Sequence, residues 1–430
     1  MPRLSVLIAA GGSVYLSAML VLAVTQAPLG SPLFFVCATA AIAVFAVILA
    51  AIWRDPATHK RLFRTAILLA VAFRLPLAVP PVNSDNDLIR YLWDGRIQNL
   101  GLNPYAVRPA DAGLEFTHTE NTRRMPSARA RTPYPPAAQL FFRLVVTLRD
   151  SPRAMKFALV ACDLLTILVV WRWLLVSGRN EWLTLAYAWN PLVVLEVAHS
   201  GHIDALGALW TAAAAFWLTR RRTSLGTVAF VLAVATKLLP IVLAPLLWRR
   251  ITLRDAFIGT GLFVLLYLPF AQGTDVLFGV RNVVEHVRFN GPVFRSVAAA
   301  TSPDIAARVA VTLGLLTAAW CRWKLPLDSP VAWAWPMAVA IACAPVVYAW
   351  YLLYLTPFLL VGATFPLIVW SCSVLLTYVV WEIARTGGRW IVPGSVLVIE
   401  YGVVIAAVAG FIWWSHRPEA NAAAPSESIG

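Results

Sequence analysis

Long apolar segments constrain the fold of this chain more than any other feature of its sequence. The first three are Leu4–Val24, Pro32–Trp53 and Phe63–Val82, and at about 1.5 Å per residue each is long enough to cross a bilayer as a helix. Only 13% of the 430 residues are charged, about half the fraction that is usual in soluble domains. The sequence therefore predicts an all-α polytopic membrane protein.

Further apolar segments continue towards the C-terminus and bring the expected number of transmembrane helices to about 12 to 14. They form one integral membrane domain over residues 1–416, and the Ala-, Pro- and Ser-rich residues 417–430 are expected to be a disordered cytoplasmic tail. The further expected spans are Ala154–Leu175, Trp182–Ala198, Leu206–Leu218, Phe257–Phe270, Ser296–Trp320, Val331–Val347, Trp350–Val361, Phe365–Ala384 and Ile391–Trp414.

Basic residues between the second and third apolar segments indicate the orientation of the chain. Arg54, Lys60 and Arg61 lie there, and the positive-inside tendency places this loop in the cytoplasm. Residues 83–153 then form a long outer loop, in which we expect amphipathic helices at the membrane interface, the second of them at Ala137–Leu148. We attribute the net charge of +14 to the orientation of the chain in the membrane and to its affinity for anionic lipid. No nucleic-acid partner is expected.

The apolar segment Ser224–Trp248 has basic residues on both sides, which conflicts with a single crossing. Lys237 and Pro240 interrupt its middle. We therefore expect a broken or re-entrant hairpin that carries Lys237 at its tip, because non-helical backbone is tolerated at membrane depth where it lines a cavity. A kinked span that violates the charge tendency is the alternative.

The most polar part of the outer loop begins with Asp85 and Asp87. Ser84, followed three residues later by Asp87, is a capping-box pattern that predicts a helix ending near Gly101. Two interpretations of the acids stay open. They can cap the helix and interact with its dipole, or they can remove a proton from a substrate hydroxyl.

Basic residues elsewhere are candidates for binding a phosphate group. Ionisable residues in or beside a membrane are costly, so several on one face indicate a site. Lys237, Arg288 and Arg295 are the residues that we expect to hold such an anion.

The cluster His199, His202 and Asp204 allows two interpretations, a metal site or hydrogen bonding to sugar or phosphate. The five cysteines are scattered without ligand spacing, and no second cluster completes a coordination sphere. We favour hydrogen bonding, and we expect neither a metal nor a cofactor.

An ordered series of short motifs resembles the motifs of GT-C fold glycosyltransferases. The most similar group is the bacterial polyprenyl-phosphate-mannose-dependent mannosyltransferases of glycosyltransferase family 87. The motifs are Ser84-Asp85-Asn86-Asp87, Arg90-Tyr91-Leu92-Trp93-Asp94-Gly95, Gly101-Leu102-Asn103-Pro104-Tyr105, Tyr134-Pro135-Pro136, Trp189-Asn190-Pro191, Gly201-His202-Ile203-Asp204 and Lys237 with Pro240.

The resemblance implies an inverting membrane glycosyltransferase. Its donor would be a polyprenyl-phosphate sugar, expected to be mannose, and its acceptor a lipid-linked or cell-envelope glycan. The enzyme would lie in the bacterial inner (plasma) membrane with its active site facing the periplasm or the cell exterior. The alternative is a transporter or flippase of a lipid-linked saccharide, which also needs polar groups in a helical cavity.

The resemblance also implies roles for individual residues. The catalytic base falls on Asp85 or on Asp87, and because Asn86 separates the two acids, where many relatives have adjacent acids, the choice stays open. The residues expected to bind substrate are Arg90, Tyr91, Asp94, Tyr134, His199, His202 and Asp204.

Overall fold

The computed structural model of the chain describes residues 2–54, 60–81, 86–123, 125, 127–271 and 274–416. The protein is 75% helical, and no strand occurs in these ranges. Seven helical segments there are long and apolar enough to cross a membrane, which confirms the prediction of an all-α polytopic membrane protein. The number of crossings stays a prediction, and the expected tail lies outside the described residues.

Eighteen α-helices occur in these ranges, joined by short 3₁₀ and π-helical segments. The helices are α1 (Pro2–Thr25), α2 (Pro32–Arg54), α3 (Lys60–Ala78), α4 (Asp87–Asn99), α5 (Pro136–Leu148), α6 (Pro152–Val176), α7 (Leu185–Ala188), α8 (Pro191–Val193), α9 (Asp204–Thr219), α10 (Thr223–Thr236), α11 (Leu253–Tyr267), α12 (Phe278–His286), α13 (Pro292–Ala300), α14 (Pro303–Lys324), α15 (Pro330–Ala342), α16 (Phe365–Ser373), α17 (Val379–Arg385) and α18 (Gly394–Ser415).

A fully buried ion pair joins α3 to α6. Arg74 pairs with Asp163 through Nε and Oδ2, and its Nη2 donates to Oδ1 of the same carboxylate at 3.2 Å. The hydroxyl of Tyr187 also donates to that Oδ1, at 2.8 Å. Because an unpaired charge in the membrane interior is costly, this network fixes α3, α6 and the segment around Tyr187 relative to one another.

The expected span Trp182–Ala198 is not one helix. It divides at Asn190-Pro191 into α7, α8 and a π-helix, Val194–Ser200. Proline cannot donate the hydrogen bond that would continue a helix, and the Asn190 side chain instead accepts the Leu192 N–H at 3.0 Å. The prediction of a single continuous span was wrong here.

Two other expected spans are also interrupted. Ser296–Trp320 divides into α13 and α14 just before Pro303. Trp350–Val361 consists of buried 3₁₀ segments, Ala349–Tyr354 and Thr356–Phe358. Apolar composition alone predicted spans here, but buried packing against other helices explains the same composition.

The segment from Thr223 to Trp248 is broken at Lys237, as the sequence predicts. α10 ends at Thr236, Lys237 is extended, and a 3₁₀ helix, Leu239–Leu247, follows. Thr223, at the start of the segment, and Arg250, just after its end, line the same pocket. Both ends therefore lie on one side of the protein, which supports the re-entrant hairpin rather than the kinked span.

The start of α4 differs from the prediction. The helix begins at Asp87, and its N-cap is Asn86, whose side-chain oxygen accepts the Leu88 N–H at 2.8 Å. The predicted cap residue, Ser84, lies outside the described residues. The helix ends before Gly101, which has a φ of +79°, as predicted.

The environment of α4 also differs from the prediction. Its polar residues Arg90, Asp94 and Gln98 are buried, and the helix packs against α5 and α6. The polar side of α4 is therefore covered by protein and does not face the aqueous phase. α5 retains an exposed apolar side at Leu144 and Leu148, and the position of both helices at the membrane interface stays a prediction.

We expect the substitution Arg74→Met to destabilise the protein by about 3–5 kcal/mol, because it leaves the Asp163 carboxylate buried without its partner. Thermal unfolding in detergent measures the effect. The double substitution Arg74→Met with Asp163→Leu removes both charges and should recover much of the loss. Equal destabilisation by the single and double variants would contradict a role for the ion pair.

Candidate active site

A cavity of about 770 Å³ lies where α4, the turn after Ser200, the Lys237 turn and the 3₁₀ helix Ala349–Tyr354 meet. Most of the residues singled out in the sequence line it. These are Asp87, Arg90, Tyr91, Tyr134, His199, His202, Asp204 and Lys237.

Asp87 faces this cavity from the first turn of α4. Burial raises the pKa of the Tyr134 hydroxyl well above its usual range, and the negative charge of Asp87 raises it further. The same two causes, in the same order, raise the pKa of Tyr91. Asp85 lies outside the described residues, so the choice between the two acids as base stays a prediction.

Asn86 ties the start of α4 to the turn that carries the histidines. Its Nδ2 donates to the carbonyl oxygen of Ser200 at 2.8 Å, while its side-chain oxygen caps α4. The residue that separates the two acids in the sequence therefore has a structural function. It holds Asp87 at a fixed position relative to the turn after Ser200.

Gly201 allows the π-helix Val194–Ser200 to turn into α9. Its φ is +75°, a value that side chains other than glycine disfavour. A Cβ atom at this position would lie 2.6 Å from Cδ1 of Leu88 and 3.3 Å from Cγ of Lys156. π-Helical turns occur frequently at functional sites, and this one directs His199 and His202 into the cavity.

His202 is held by a carboxylate and an aromatic ring. Its Nδ1 lies 2.9 Å from Oε2 of Glu196, and the other oxygen of Glu196 accepts from the Tyr378 hydroxyl at 2.6 Å. The Trp350 ring stacks on the imidazole with centroids 4.1 Å apart. Among the described residues none hydrogen-bonds Nε2 of His202, so that nitrogen is available to a substrate.

Lys237 and Asp204 form an ion pair at the cavity. Nζ of Lys237 lies 2.6 Å from Oδ1 of Asp204 and 3.6 Å from the centre of the Tyr351 ring. The pair explains how Asp204 is tolerated with almost no exposure to solvent. Lys237 is thus part of the cavity, but its charge is balanced.

Three of the predicted site residues are not brought to the cavity. Asp94 accepts hydrogen bonds from Arg90, Thr132 and Gln139 inside the protein. Arg288 donates to three backbone carbonyls of its own helix end and lies over the Phe294 ring. Arg295 is exposed. These side chains have structural or surface positions.

Many of the residues that line the cavity were not predicted as site residues, among them Lys156 and Trp350. Glu196, which contacts His202 from outside the cavity lining, was not predicted as a site residue either. Lys156 is a cation inside the expected apolar span Ala154–Leu175, which is a signal that the sequence does offer. The contact of Trp350 with His202 joins positions far apart in the chain, and no local pattern indicates it. Within the described ranges, no three His, Cys, Asp or Glu side chains are arranged to hold a metal ion.

The helical membrane fold and the polar cavity define a class, the multi-pass membrane proteins with a polar site among their helices. Residues 4–251 match the model of the alpha-(1->6)-mannopyranosyltransferase family, N-terminal domain (MptA_B family). The chain belongs to this family, which confirms the resemblance to GT-C mannosyltransferases of the bacterial family 87 type. No curated protein is significantly similar to it.

We expect Gly201→Ala to destabilise the protein more than Gly101→Ala does. Both glycines have positive φ, at +75° and +79°, so both substitutions carry a backbone cost of about 1–2 kcal/mol. Only Gly201 lacks space for a methyl group, since nothing lies within 4 Å of a Cβ at Gly101. The crowding adds about 1–3 kcal/mol, measured by thermal unfolding in detergent. Equal losses in the two variants would show that the turn has room.

Proposed function

We propose that the protein transfers a mannosyl residue from a polyprenyl-phosphate donor to a hydroxyl group of a lipid-linked or cell-envelope glycan. Membership of a mannosyltransferase family establishes it as a glycosyltransferase in a membrane. The observation that carries the finer proposal is that Asp87, His202, Asp204 and Lys237 line one cavity. A carboxylate, a cation and hydrogen-bonding groups within one cleft suit displacement of a lipid phosphate by a sugar hydroxyl.

The proposed reaction is a single displacement at C1 of the sugar, which inverts its configuration. The aspartate base, Asp85 or Asp87, takes the proton of the acceptor hydroxyl. The acceptor oxygen forms a bond to C1 as the bond from C1 to the phosphate oxygen breaks. The polyprenyl phosphate leaves with that electron pair, and a cation in the cavity stabilises its charge. The free Nε2 of His202 supports a role in orienting sugar hydroxyls.

The orientation of the site is also part of the proposal. The hairpin base, with Arg221 and Arg250 around one pocket, is the basic end of the segment, and Lys237 is at the other end, in the cavity. The positive-inside tendency places the basic end in the cytoplasm. The cavity would then open towards the outer face of the bacterial inner membrane. Residues 1–416 would form a single catalytic domain in that membrane. A transporter that only moves a lipid-linked saccharide is disfavoured by the family match.

We expect Asp87→Asn or Asp85→Asn to lower the transfer rate by about two to four decades, because amides cannot accept the proton. The assay uses protein purified in detergent, radiolabelled polyprenyl-phosphate mannose and a membrane lipid extract. Asp111→Asn is the matched control, since this aspartate lies on the exposed surface of the same outer segment.

The variant with the larger loss, provided that it still binds the donor, contains the base. Wild-type rates in both variants would remove the aspartates from the mechanism. A wild-type protein that consumes no donor with any extract would reject the proposed donor or acceptor.

A further inference from the structure

Lys156 places a cation without a paired carboxylate at the wall of the cavity. This lysine lies in the first turns of α6 and is only 1% exposed, yet it lines the cavity. Its Nζ donates to two backbone carbonyl oxygens, of Leu77 at 2.6 Å and Pro80 at 3.1 Å. Among the described residues no carboxylate lies within ion-pair distance of it, and an ammonium group has three donors.

Most of the other cations that line the cavity are paired with a carboxylate. Lys237 is paired with Asp204, Arg90 with Asp94 and Arg385 with Glu382. Arg131 has no carboxylate partner among the described residues, but it lies over the Phe278 ring and is less buried than Lys156. Arg288 and Arg295 do not line the cavity. A buried cation is costly unless an anion compensates it. Carbonyl dipoles at the end of α3 offset part of this cost, but they leave a full positive charge at the wall of the cavity.

The surroundings of Lys156 are suited to a lipid phosphate. The side chain of His199 lines the same part of the cavity, and the Lys156 stem lies against Gly201 in the histidine turn. The aliphatic residues Leu22, Ala27 and Leu77 also line the cavity, and the carbonyl of Leu77 accepts from Lys156. A phosphate beside Lys156 could therefore place its sugar towards the histidine turn and its hydrocarbon chain along the aliphatic wall.

We propose that Lys156, with His199 beside it, binds the phosphate group of a polyprenyl-phosphate lipid. The inference rests on the proposed function for the identity of the lipid, and it assigns the phosphate to a residue other than Lys237. An alternative explanation is purely structural, because Lys156 also satisfies carbonyl groups at the C-terminal end of α3.

The test compares Lys156→Gln with Arg153→Gln. Arg153 lies one turn earlier on α6 and donates to the carbonyl of Val79 at 3.3 Å, but it does not line the cavity. Each substitution removes one positive charge and weakens the cap of α3. Only the first removes a cation that faces the cavity, so the pair separates binding from capping.

Binding of decaprenyl phosphate and of uncharged decaprenol is measured by titration in native mass spectrometry. We expect Lys156→Gln to weaken decaprenyl phosphate binding about tenfold or more, as a hydrogen bond to a charged group predicts, and to leave decaprenol binding unchanged. Arg153→Gln should leave both unchanged. Equal losses in the two variants, or equal losses for the two lipids, would overturn the proposal.

Competition identifies the source of the phosphate. Displacement of decaprenyl phosphate by phosphatidylglycerol or by inorganic phosphate at similar concentration would reject a polyprenyl-specific site. A Lys156→Gln variant that transfers mannose slowly but binds decaprenyl phosphate normally would also reject it. In contrast, a wild type that binds decaprenyl phosphate through Lys156 but transfers no mannose would reject the proposed function alone.

Discussion

Ionisable groups inside a membrane protein need partners, and this requirement determines the packing both in the protein interior and at the wall of the cavity. Arg74 and Asp163 satisfy it completely, with no exposed surface on either side chain. Lys237 and Asp204 satisfy it at the wall of the cavity. Glu196 accepts a hydrogen bond from Tyr378 and lies beside the imidazole of His202. The contacts of Arg74 with Asp163, of Lys237 with Asp204 and of Glu196 with Tyr378 join separate helical segments, so the cost of an unpaired charge limits where helices can pack.

The same requirement distinguishes structural charge from functional charge. A pair such as Arg74 with Asp163 is complete and has no further capacity for a ligand. Lys156 has only neutral partners among the described residues, and His202 has one ring nitrogen without a partner there. A substrate can supply the missing interaction to polar groups such as these, whose hydrogen bonding or charge pairing is incomplete.

The helical membrane class could be predicted because hydropathy depends on composition over about 20 residues, which a sequence displays directly. The break at Lys237 was also predictable, since a lysine, a nearby proline and two basic flanks conflict with a simple crossing. The continuity of other spans was not. Asn190-Pro191 and the residues before Pro303 end helices inside apolar runs, and hydropathy does not distinguish a buried irregular segment from a crossing.

Local motifs placed Asp87, His202, Asp204 and Lys237 at one site, because a resemblance that covers several segments carries information about their proximity. Arg288 and Arg295 were assigned by charge alone, and charge does not determine the direction of a side chain. The Glu196 and Trp350 contacts with His202 depend on tertiary packing, so only the structure could show them.

The re-entrant hairpin has a mechanical consequence. The two ends of the hairpin from Thr223 to Trp248 line one pocket, while its arms pack along α9, α11, α14 and α15. The tip is attached to α9 as well, because Lys237 is paired with Asp204. A displacement of Lys237 would therefore have to be shared by these helices, and the hairpin acts as a rigid support for the charge at its tip.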